Sequence, residues 1–211
     1  MSPPCASART PHPPIVPVAR LGEVARVGPN AVTQLIAAMD AAHVTALKRS
    51  VFEAAHCARY LEHPPTEMIP EYEAAFVHRS LIAQADPARA RSLAEDAGRR
   101  TADYIIANRI PAPARLILKA LPASRAAPML ADAIARHAWT FCGSGRFKVA
   151  RGGPRRLTLS ITDNALATPG CPWHVAVFER LFQTLAGANA RVAHRSAGTS
   201  GAQRSDFSVT Y

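Results

Sequence analysis

The sequence predicts an α+β fold, with a helical N-terminal half followed by a β-β-α-β-β module whose small antiparallel sheet packs against helices. Apolar residues recur at helical spacing from about residue 28 to residue 141. The segment Gly143-Ser144-Gly145 then ends the helical pattern. Two short strand-like runs, residues 147–150 and 157–161, flank Gly152-Gly153-Pro154 as in a hairpin. Helices first and strands later is an order typical of α+β domains.

The helical half contains six predicted helices. The Gly28-Pro29-Asn30 turn opens the first, and Pro64 and Pro65 end the second, because proline lacks the N–H that a helix interior needs. Asp86 followed by Pro87 is typical of an N-cap with proline at the first helical position. The first helix carries Val32, Leu35, Ile36 and Met39 on one face, and the later spans are residues 45–61, 70–84, 87–108, 112–121 and 124–141.

The second half alternates strands with one helix. Strands are predicted over residues 147–150, 157–161, 191–194 and 206–211, with a helix over residues 172–185. The predicted organisation is a disordered, proline-rich arm over residues 1–19, a helical region over 20–142 and an α+β region over 143–211. We expect residues 20–211 to form one compact unit.

Composition excludes several classes of protein. With 211 residues, 48% hydrophobic and 19% charged, the chain can bury a core and is not disordered throughout. No apolar run approaches the ~18 residues that a membrane-spanning helix requires, and the prolines near the N-terminus interrupt any signal core. Aromatic residues, at 6%, are few for a base-stacking surface, so no nucleic acid partner is expected. We expect a cytoplasmic protein.

The cysteines and the glycines predict no intrinsic metal or cofactor. The four cysteines are dispersed and never form a C-x-x-C pair, so neither a zinc site nor an iron–sulfur cluster is expected: Cys5, Cys57, Cys142 and Cys171. Dispersed, reduced thiols suit the cytoplasm. The glycine-rich nucleotide-binding fingerprints and the nucleophile elbow of hydrolases do not occur either.

The chain is strongly basic, and the charge is unevenly placed. It has 25 Lys+Arg against 15 Asp+Glu, a formal net charge of +10. From Gly143 to the end there are nine cations and three acids, so this segment holds +6 of that total. Such an excess favours capture of an anionic ligand or partner. A solvated surface in an arginine-rich protein explains the charge equally well.

Two histidines fall on apolar helix faces. His137 follows Leu130 and Ile134 on one stripe, and His174 shares a stripe with Phe178. A histidine in the first turn of a helix is disfavoured as a cation, and a neutral imidazole coordinates metals or accepts hydrogen bonds. The alternative is a core histidine bonded to a backbone carbonyl, with Trp139 and Trp173 as core residues. Together with the arginines, these residues would suit a flat, apolar, anionic ligand that carries a metal.

Seven ordered stretches from about residue 21 to the end resemble the BchJ family of bacteriochlorophyll biosynthesis proteins, named as 4-vinyl (8-vinyl) reductases. No single stretch is diagnostic, but the ordered set is fairly specific. The stretches are Val27-Gly28-Pro29-Asn30-Ala31, Thr101-Ala102-Asp103-Tyr104-Ile105, Asn108-Arg109-Ile110-Pro111, His137-Ala138-Trp139-Thr140-Phe141, Gly143-Ser144-Gly145-x-Phe147, Cys171-Pro172-Trp173-His174 and Val177-Phe178-Glu179-Arg180-Leu181-Phe182.

The resemblance implies a vinyl-reductase-type α+β domain and a role in photosynthetic pigment synthesis. Related domains often end in a cysteine pair around a glycine; here Gly201 and Phe207 fit, while Ala197 (or Ser196) and Ser205 stand at the cysteine positions. Vinyl reduction would need a nicotinamide, a flavin or reduced iron–sulfur clusters, and no motif for these is present.

The residues therefore favour a carrier or accessory factor that binds a magnesium tetrapyrrole of the divinyl protochlorophyllide or chlorophyllide type. The expected ligand-binding residues are His174, Trp173, His137, Trp139 and Arg180, with His174 as axial ligand to the magnesium of the ligand. Two alternatives stay open. The protein could be the 8-vinyl reductase itself, using NADPH, an unrecognised cofactor or an external donor. It could also be a sensory module that binds an aromatic ligand. Expected partners are other bacteriochlorophyll biosynthesis enzymes, a second copy of the chain and, at most peripherally, the photosynthetic membrane.

Overall fold

The computed structural model describes residues 24–197 and 204–211, and it confirms the α+β fold. The predicted arm over residues 1–19 lies outside the described residues. The elements are β1 (Arg26–Val27), α1 (Asn30–Ala41), α2 (Thr45–Ala54), α3 (Arg59–Glu62), β2 (Ile69–Pro70), α4 (Glu71–Gln84), α5 (Pro87–Asn108), α6 (Ala112–Ala120), α7 (Ala123–Arg136), α8 (Trp139–Cys142), β3 (Arg146–Arg151), β4 (Arg156–Thr162), α9 (Pro172–Leu185), β5 (Arg191–Ala197) and β6 (Arg204–Thr210).

Helix α5 is the central element of the helical part. It begins where the sequence predicts, because the Asp86 side chain accepts a hydrogen bond from Arg89 N at 2.9 Å and Pro87 occupies the first turn. Helix α5 packs between α1 and α9. The approach to α9 is closest at Gly98, where an added Cβ would lie 2.5 Å from the carbonyl oxygen of Trp173. Only glycine allows the two backbones to come this near.

Two predicted helices are each divided in the structure. The span 45–61 ends as a helix at Ala54, where His56 adopts a left-handed backbone with φ 55°. The N–H of Cys57 then bonds to the carbonyl of Phe52 at 2.8 Å, a closure typical of a Schellman C-cap. The span 124–141 ends at Arg136, and the chain turns at His137 before α8 begins. Hydrophobic periodicity continues across both turns and therefore does not reveal them.

The predicted β-β-α-β-β module is confirmed. The four strands form an antiparallel sheet in the order β3-β4-β6-β5, with Leu159 opposite both Val149 and Phe207. One face of the sheet is apolar and packs on α9, which also contacts β5. The structure also contains a two-stranded sheet of β1 and β2, which is not predicted from the sequence. Strands of two residues are too short to show an alternating pattern.

The buried apolar side chains form one continuous cluster drawn from the helices and from the sheet. Phe52, Leu35 and Leu81 belong to it in the helical part, and Phe207 and Ile161 belong to it in the sheet. Across the described ranges, no helix combines the length and the apolar character that crossing a bilayer requires.

Candidate ligand-binding cavity

A cavity of about 890 Å³ lies between the start of α1, the C-terminal half of α5, and helices α6 to α9. Its volume falls toward the upper end of the ~300–1,000 Å³ range of small-molecule sites. Its walls are mainly apolar and include Ile105, Leu118, Ile134, Phe178 and Leu181. The site is therefore suited to a large apolar ligand, with polar contacts confined to a few positions.

The mouth of the cavity carries two arginines that sequence reasoning did not select. Arg26 and Arg109 are exposed and line the cavity, together with Glu67. The Arg26 guanidinium donates to the carbonyl of Met68 at 3.1 Å, and Arg109 lies 6.0 Å from the centre of the Tyr104 ring. Neither arginine forms an ion pair within the described residues. Both are free to pair with a carboxylate at the edge of a ligand.

His137 lies at the mouth, not in the core as its periodic position predicts. The turn after α7 exposes the side chain, so the prediction of a core-facing His137 is wrong. Its Nδ1 lies 3.0 Å from the carbonyl oxygen of Ala133. A carbonyl only accepts, so in the neutral imidazole the proton is on Nδ1 and the lone pair is on Nε2. This tautomer is the one that binds a metal through Nε2.

His174 lies at the opposite, inner end of the cavity. It is 1% exposed, and neither ring nitrogen has a hydrogen-bond partner. Its ring centre is 4.8 Å from that of Trp173 and 5.7 Å from that of Phe207. Burial, followed by repulsion from His78 and His194, lowers the pKa of His174 to about 3. The imidazole is therefore neutral near pH 7.

The alternative of a core histidine bonded to a backbone carbonyl does not describe His174, and it describes His137 only in part, because His137 bonds to a carbonyl but is exposed; the residue that fits it fully is His78. His78 donates from Nε2 to the carbonyl of Ala31 at 2.9 Å. Leaving both polar atoms of His174 without partners is unfavourable in a protein interior. Beside it, the indole N–H of Trp173 is also buried without a partner. The inner wall of the cavity thus holds three buried polar atoms that lack a hydrogen-bond partner.

The remaining predicted residues are separated. Trp139 is 60% exposed at the mouth, while Trp173 is buried. Arg180 points away from the cavity and pairs with Asp103, with an Nε–Oδ1 distance of 2.7 Å. No cation of the basic C-terminal segment lines the cavity, and several are paired with acids: Arg146 with Asp163, Arg151 with Asp132 and Arg204 with Asp206.

The stretches that carry the family resemblance meet around this cavity. The N–H of Gly28 bonds to the carbonyl of Thr140 at 2.6 Å, which joins the first stretch to the fourth. The Gly143-Ser144-Gly145 turn is held by Glu71, whose carboxylate accepts from Ser144 N at 2.8 Å and from Ser144 Oγ at 2.7 Å. Five of the seven stretches contribute residues to the lining, and a sixth, Cys171-Pro172-Trp173-His174, supplies the inner wall.

The three cysteines within the described residues, Cys57, Cys142 and Cys171, are buried and do not line the cavity. Burial raises the pKa of the Cys142 thiol to about 12, and it also raises the pKa of Cys57 and Cys171. Cys171 Sγ lies 3.7 Å from Ser205 Oγ, where related domains often have a cysteine. Between residues 24 and 197 and between 204 and 211, no three His, Cys, Asp or Glu side chains are grouped closely enough to hold a metal ion.

Comparison with known proteins identifies the family. No model of a described protein family matches the chain. The chain is 40% identical over 190 residues to the bacteriochlorophyll synthase 23 kDa chain of Cereibacter sphaeroides, covering 87% of this chain and 90% of that protein. The protein belongs to this family. The counterpart from Rhodobacter capsulatus is 43% identical over 165 residues, covering 76% of this chain and 75% of the relative.

The family names confirm the predicted resemblance and support a role in bacteriochlorophyll biosynthesis. Solved structures of H-NOX proteins share the fold at low sequence identity. One, from a study of haem distortion in the H-NOX family, gives a TM-score of 0.56 at 8% identity, covering 88% of this chain and 95% of that one. An Fe(II) unliganded H-NOX protein from K. algicida gives 0.56 at 11%, covering 87% and 96%. At these identities the likeness concerns the fold alone.

Proposed function

We propose that the protein binds a magnesium tetrapyrrole of the divinyl protochlorophyllide or chlorophyllide type in the cavity described above. It would act as a carrier or accessory factor for 8-vinyl reduction or a neighbouring step of bacteriochlorophyll biosynthesis. The observation that carries the proposal is an apolar cavity of about 890 Å³ with one metal-competent histidine at its mouth and one unpartnered histidine at its inner wall.

The apolar walls support a flat, largely hydrophobic ligand. Ile105, Leu118, Ile134 and Phe178 offer aliphatic and aromatic surface from four different helices. Burial of a macrocycle against such walls is favourable by about 25 cal/mol for each Å² of apolar surface removed from water. The H-NOX structures of similar fold are described in terms of haem and porphyrin distortion, which is consistent with a fold able to hold a porphyrin-sized ring.

Two histidines compete for the axial position of magnesium. An imidazole nitrogen with a free lone pair is a good axial ligand, and His137 and His174 are the two imidazoles of the described residues that line the cavity. His137 already has its proton on Nδ1 and its Nε2 at the mouth. His174 has almost no accessible surface at its nitrogens, so coordination requires its ring to rotate into the cavity. That rotation would give one of its two unpartnered nitrogens a ligand, which is why His174 stays in the proposal.

Carboxylate groups of the tetrapyrrole would pair with Arg26 and Arg109 at the mouth. Guanidinium–carboxylate pairs are stronger than neutral hydrogen bonds and fix orientation. This assignment replaces the expected role of Arg180, whose guanidinium is engaged by Asp103. The ring would then enter with its apolar edge toward Trp173 and its acidic edge toward solvent.

The test is a titration of purified protein with divinyl protochlorophyllide and with its metal-free counterpart, followed by absorbance. Binding of both, with tighter binding of the magnesium form, is the expected result. His137→Ala and His174→Leu are compared with His63→Ala, which alters an exposed histidine that does not line the cavity. The proposal is wrong if no tetrapyrrole binds, or if neither cavity variant changes the preference for the metal.

The same samples, incubated with and without NADPH, separate the carrier from the reductase. The carrier proposal expects binding and no 8-vinyl reduction in either case. Conversion of the divinyl to the monovinyl pigment in the sample with NADPH, and not in the sample without it, would establish the reductase alternative with NADPH as the two-electron donor.

A further inference from the structure

Helix α6 presents an apolar and basic outer face that no other described element covers. Its inner face, with Ala114 and Leu118, lines the cavity. On the outside, Leu116 is 70% exposed and Ile117 is 55% exposed. Large apolar side chains in adjacent, highly exposed positions mark surfaces that contact a partner or a membrane. Within the described residues, Met129 of α7 and Trp139 of α8 are also largely exposed and belong to the same part of the chain.

The segment that contains this face carries charge of one sign, and the acids at its two ends, Asp103 and Asp132, are paired with Arg180 and Arg151. Residues 104–131 contain no Asp or Glu, and their cations are Arg109, Arg115, Lys119 and Arg125. Lys119 lies three residues after Leu116 and is its neighbour on the helix surface. Arg115 and Lys119 flank a shallow depression beside Leu116. Lys119 and Arg125 are exposed and have no ion-pair partner among the described side chains.

We propose that the outer face of α6, formed by Leu116, Ile117 and Lys119, together with Arg125 at the start of the following helix α7, docks the protein on an anionic phospholipid surface. Apolar side chains flanked by unpaired cations complement a bilayer in which headgroup phosphates lie above the acyl chains. A protein partner would more often meet mixed charges, and none of the acids needed for mutual pairing of two copies is present in this segment. The inner face of the same helix lines the cavity, so the docking face and the cavity lie on opposite sides of α6.

The docking surface is independent of what the cavity holds, because vesicle binding is measured without any tetrapyrrole. If the protein does not bind a tetrapyrrole, the docking proposal is unaffected. If the protein does not bind vesicles, the proposed tetrapyrrole site is unaffected. The experiment is co-sedimentation of the full chain with vesicles of phosphatidylcholine alone or mixed with phosphatidylglycerol. Binding to the mixed vesicles only, falling as salt is raised, is the expected result.

Two paired variants locate the surface. Lys119→Gln with Arg125→Gln should weaken binding by about tenfold or more, since each basic residue near an anionic surface contributes a factor of about five. The charge-matched control is Arg49→Gln with Lys148→Gln, which removes two exposed cations from α2 and β3. If both pairs lose the same amount, the binding reflects the net charge of the chain, and the proposal is overturned.

The apolar half of the surface has its own control. Leu116→Gln with Ile117→Gln should weaken vesicle binding, whereas Tyr72→Gln with Phe76→Gln should not. Tyr72 and Phe76 are 46% and 45% exposed on α4, a helix outside the proposed docking surface. The proposal is overturned if the two apolar pairs lose vesicle binding equally, or if the wild type binds neutral vesicles as well as anionic ones. It is also overturned if light scattering shows a dimer that depends on Leu116 and Ile117 and does not bind vesicles. Should the apolar variant fail to fold by circular dichroism, the two charge pairs decide the question.

Discussion

Replacing His174 by leucine tests the most unusual feature of the cavity, a fully buried imidazole with no hydrogen-bond partner. A buried polar group without a partner destabilises a fold by about 1–3 kcal/mol, and leucine has a similar volume without polar atoms. Imperfect packing of the new side chain offsets part of the gain, by up to about 1.5 kcal/mol. We therefore expect His174→Leu to raise the free energy of unfolding by about 1 kcal/mol at pH 7.

The same substitution changes the response to acid. The unfolded imidazole binds a proton near its ordinary pKa of 6.5, while burial keeps the folded one neutral down to about pH 3. Between pH 6.5 and about pH 3 the unfolded state binds more protons than the folded state. The contribution of His174 to the free energy of unfolding is therefore complete above pH 6.5 and decreases as the pH falls. Between pH 7 and pH 5 the wild type should lose about 2 kcal/mol through this group.

Urea denaturation of the apo protein at the two pH values measures both effects. His78 and His194 also have lowered pKa values, but they are present in both proteins, so the difference between wild type and variant reports His174 alone. A variant less stable than the wild type by 2 kcal/mol or more at pH 7, with an unchanged acid response, would show that the imidazole has a partner in solution and would refute the reasoning.

Three further predictions concern the elements that shape the cavity. Gly98→Ala should lower the free energy of unfolding by about 1–3 kcal/mol, because the added methyl group would meet the Trp173 carbonyl and separate α5 from α9. Urea denaturation measures this change, and an unchanged free energy of unfolding would contradict the contact. Glu71→Ala should lower stability by about 1–3 kcal/mol, since it removes both acceptors of Ser144; Glu71→Gln, which keeps one acceptor oxygen, should lose less by the same measurement. Arg109→Gln should weaken binding of a tetrapyrrole with free carboxylates, and leave binding of its methyl ester unchanged in the same titration; equal losses for acid and ester would remove Arg109 from the site.

The site was predicted in part, and the reason is visible at particular residues. His174 and Trp173 line the cavity because the periodic stripe of α9 faces the interior, as the spacing indicates. His137 also lines it, but through a turn that periodicity does not report. Arg109 belongs to one of the seven resembling stretches, but a cation after a helix end has no periodic pattern that would mark it as a site residue. Arg180 belongs to a resembling stretch and carries the charge that a ring carboxylate needs, but neither property shows that Asp103 is its neighbour.

The sequence by itself determined the features that depend on neighbours along the chain. The Asp86-Pro87 cap, the hairpin between β3 and β4, the limits of α9 and the family membership all follow from local patterns. Only the tertiary structure decided where space remains between the elements. An apolar stripe shows which face of a helix avoids water, but whether that face meets another side chain or an open cavity depends on how α5 to α9 pack, at points such as Gly98. Packing joins residues that are far apart in the chain. Sequence spacing therefore does not show the cavity, the positions of His137 at its mouth and His174 at its inner wall, or the exposed face of α6.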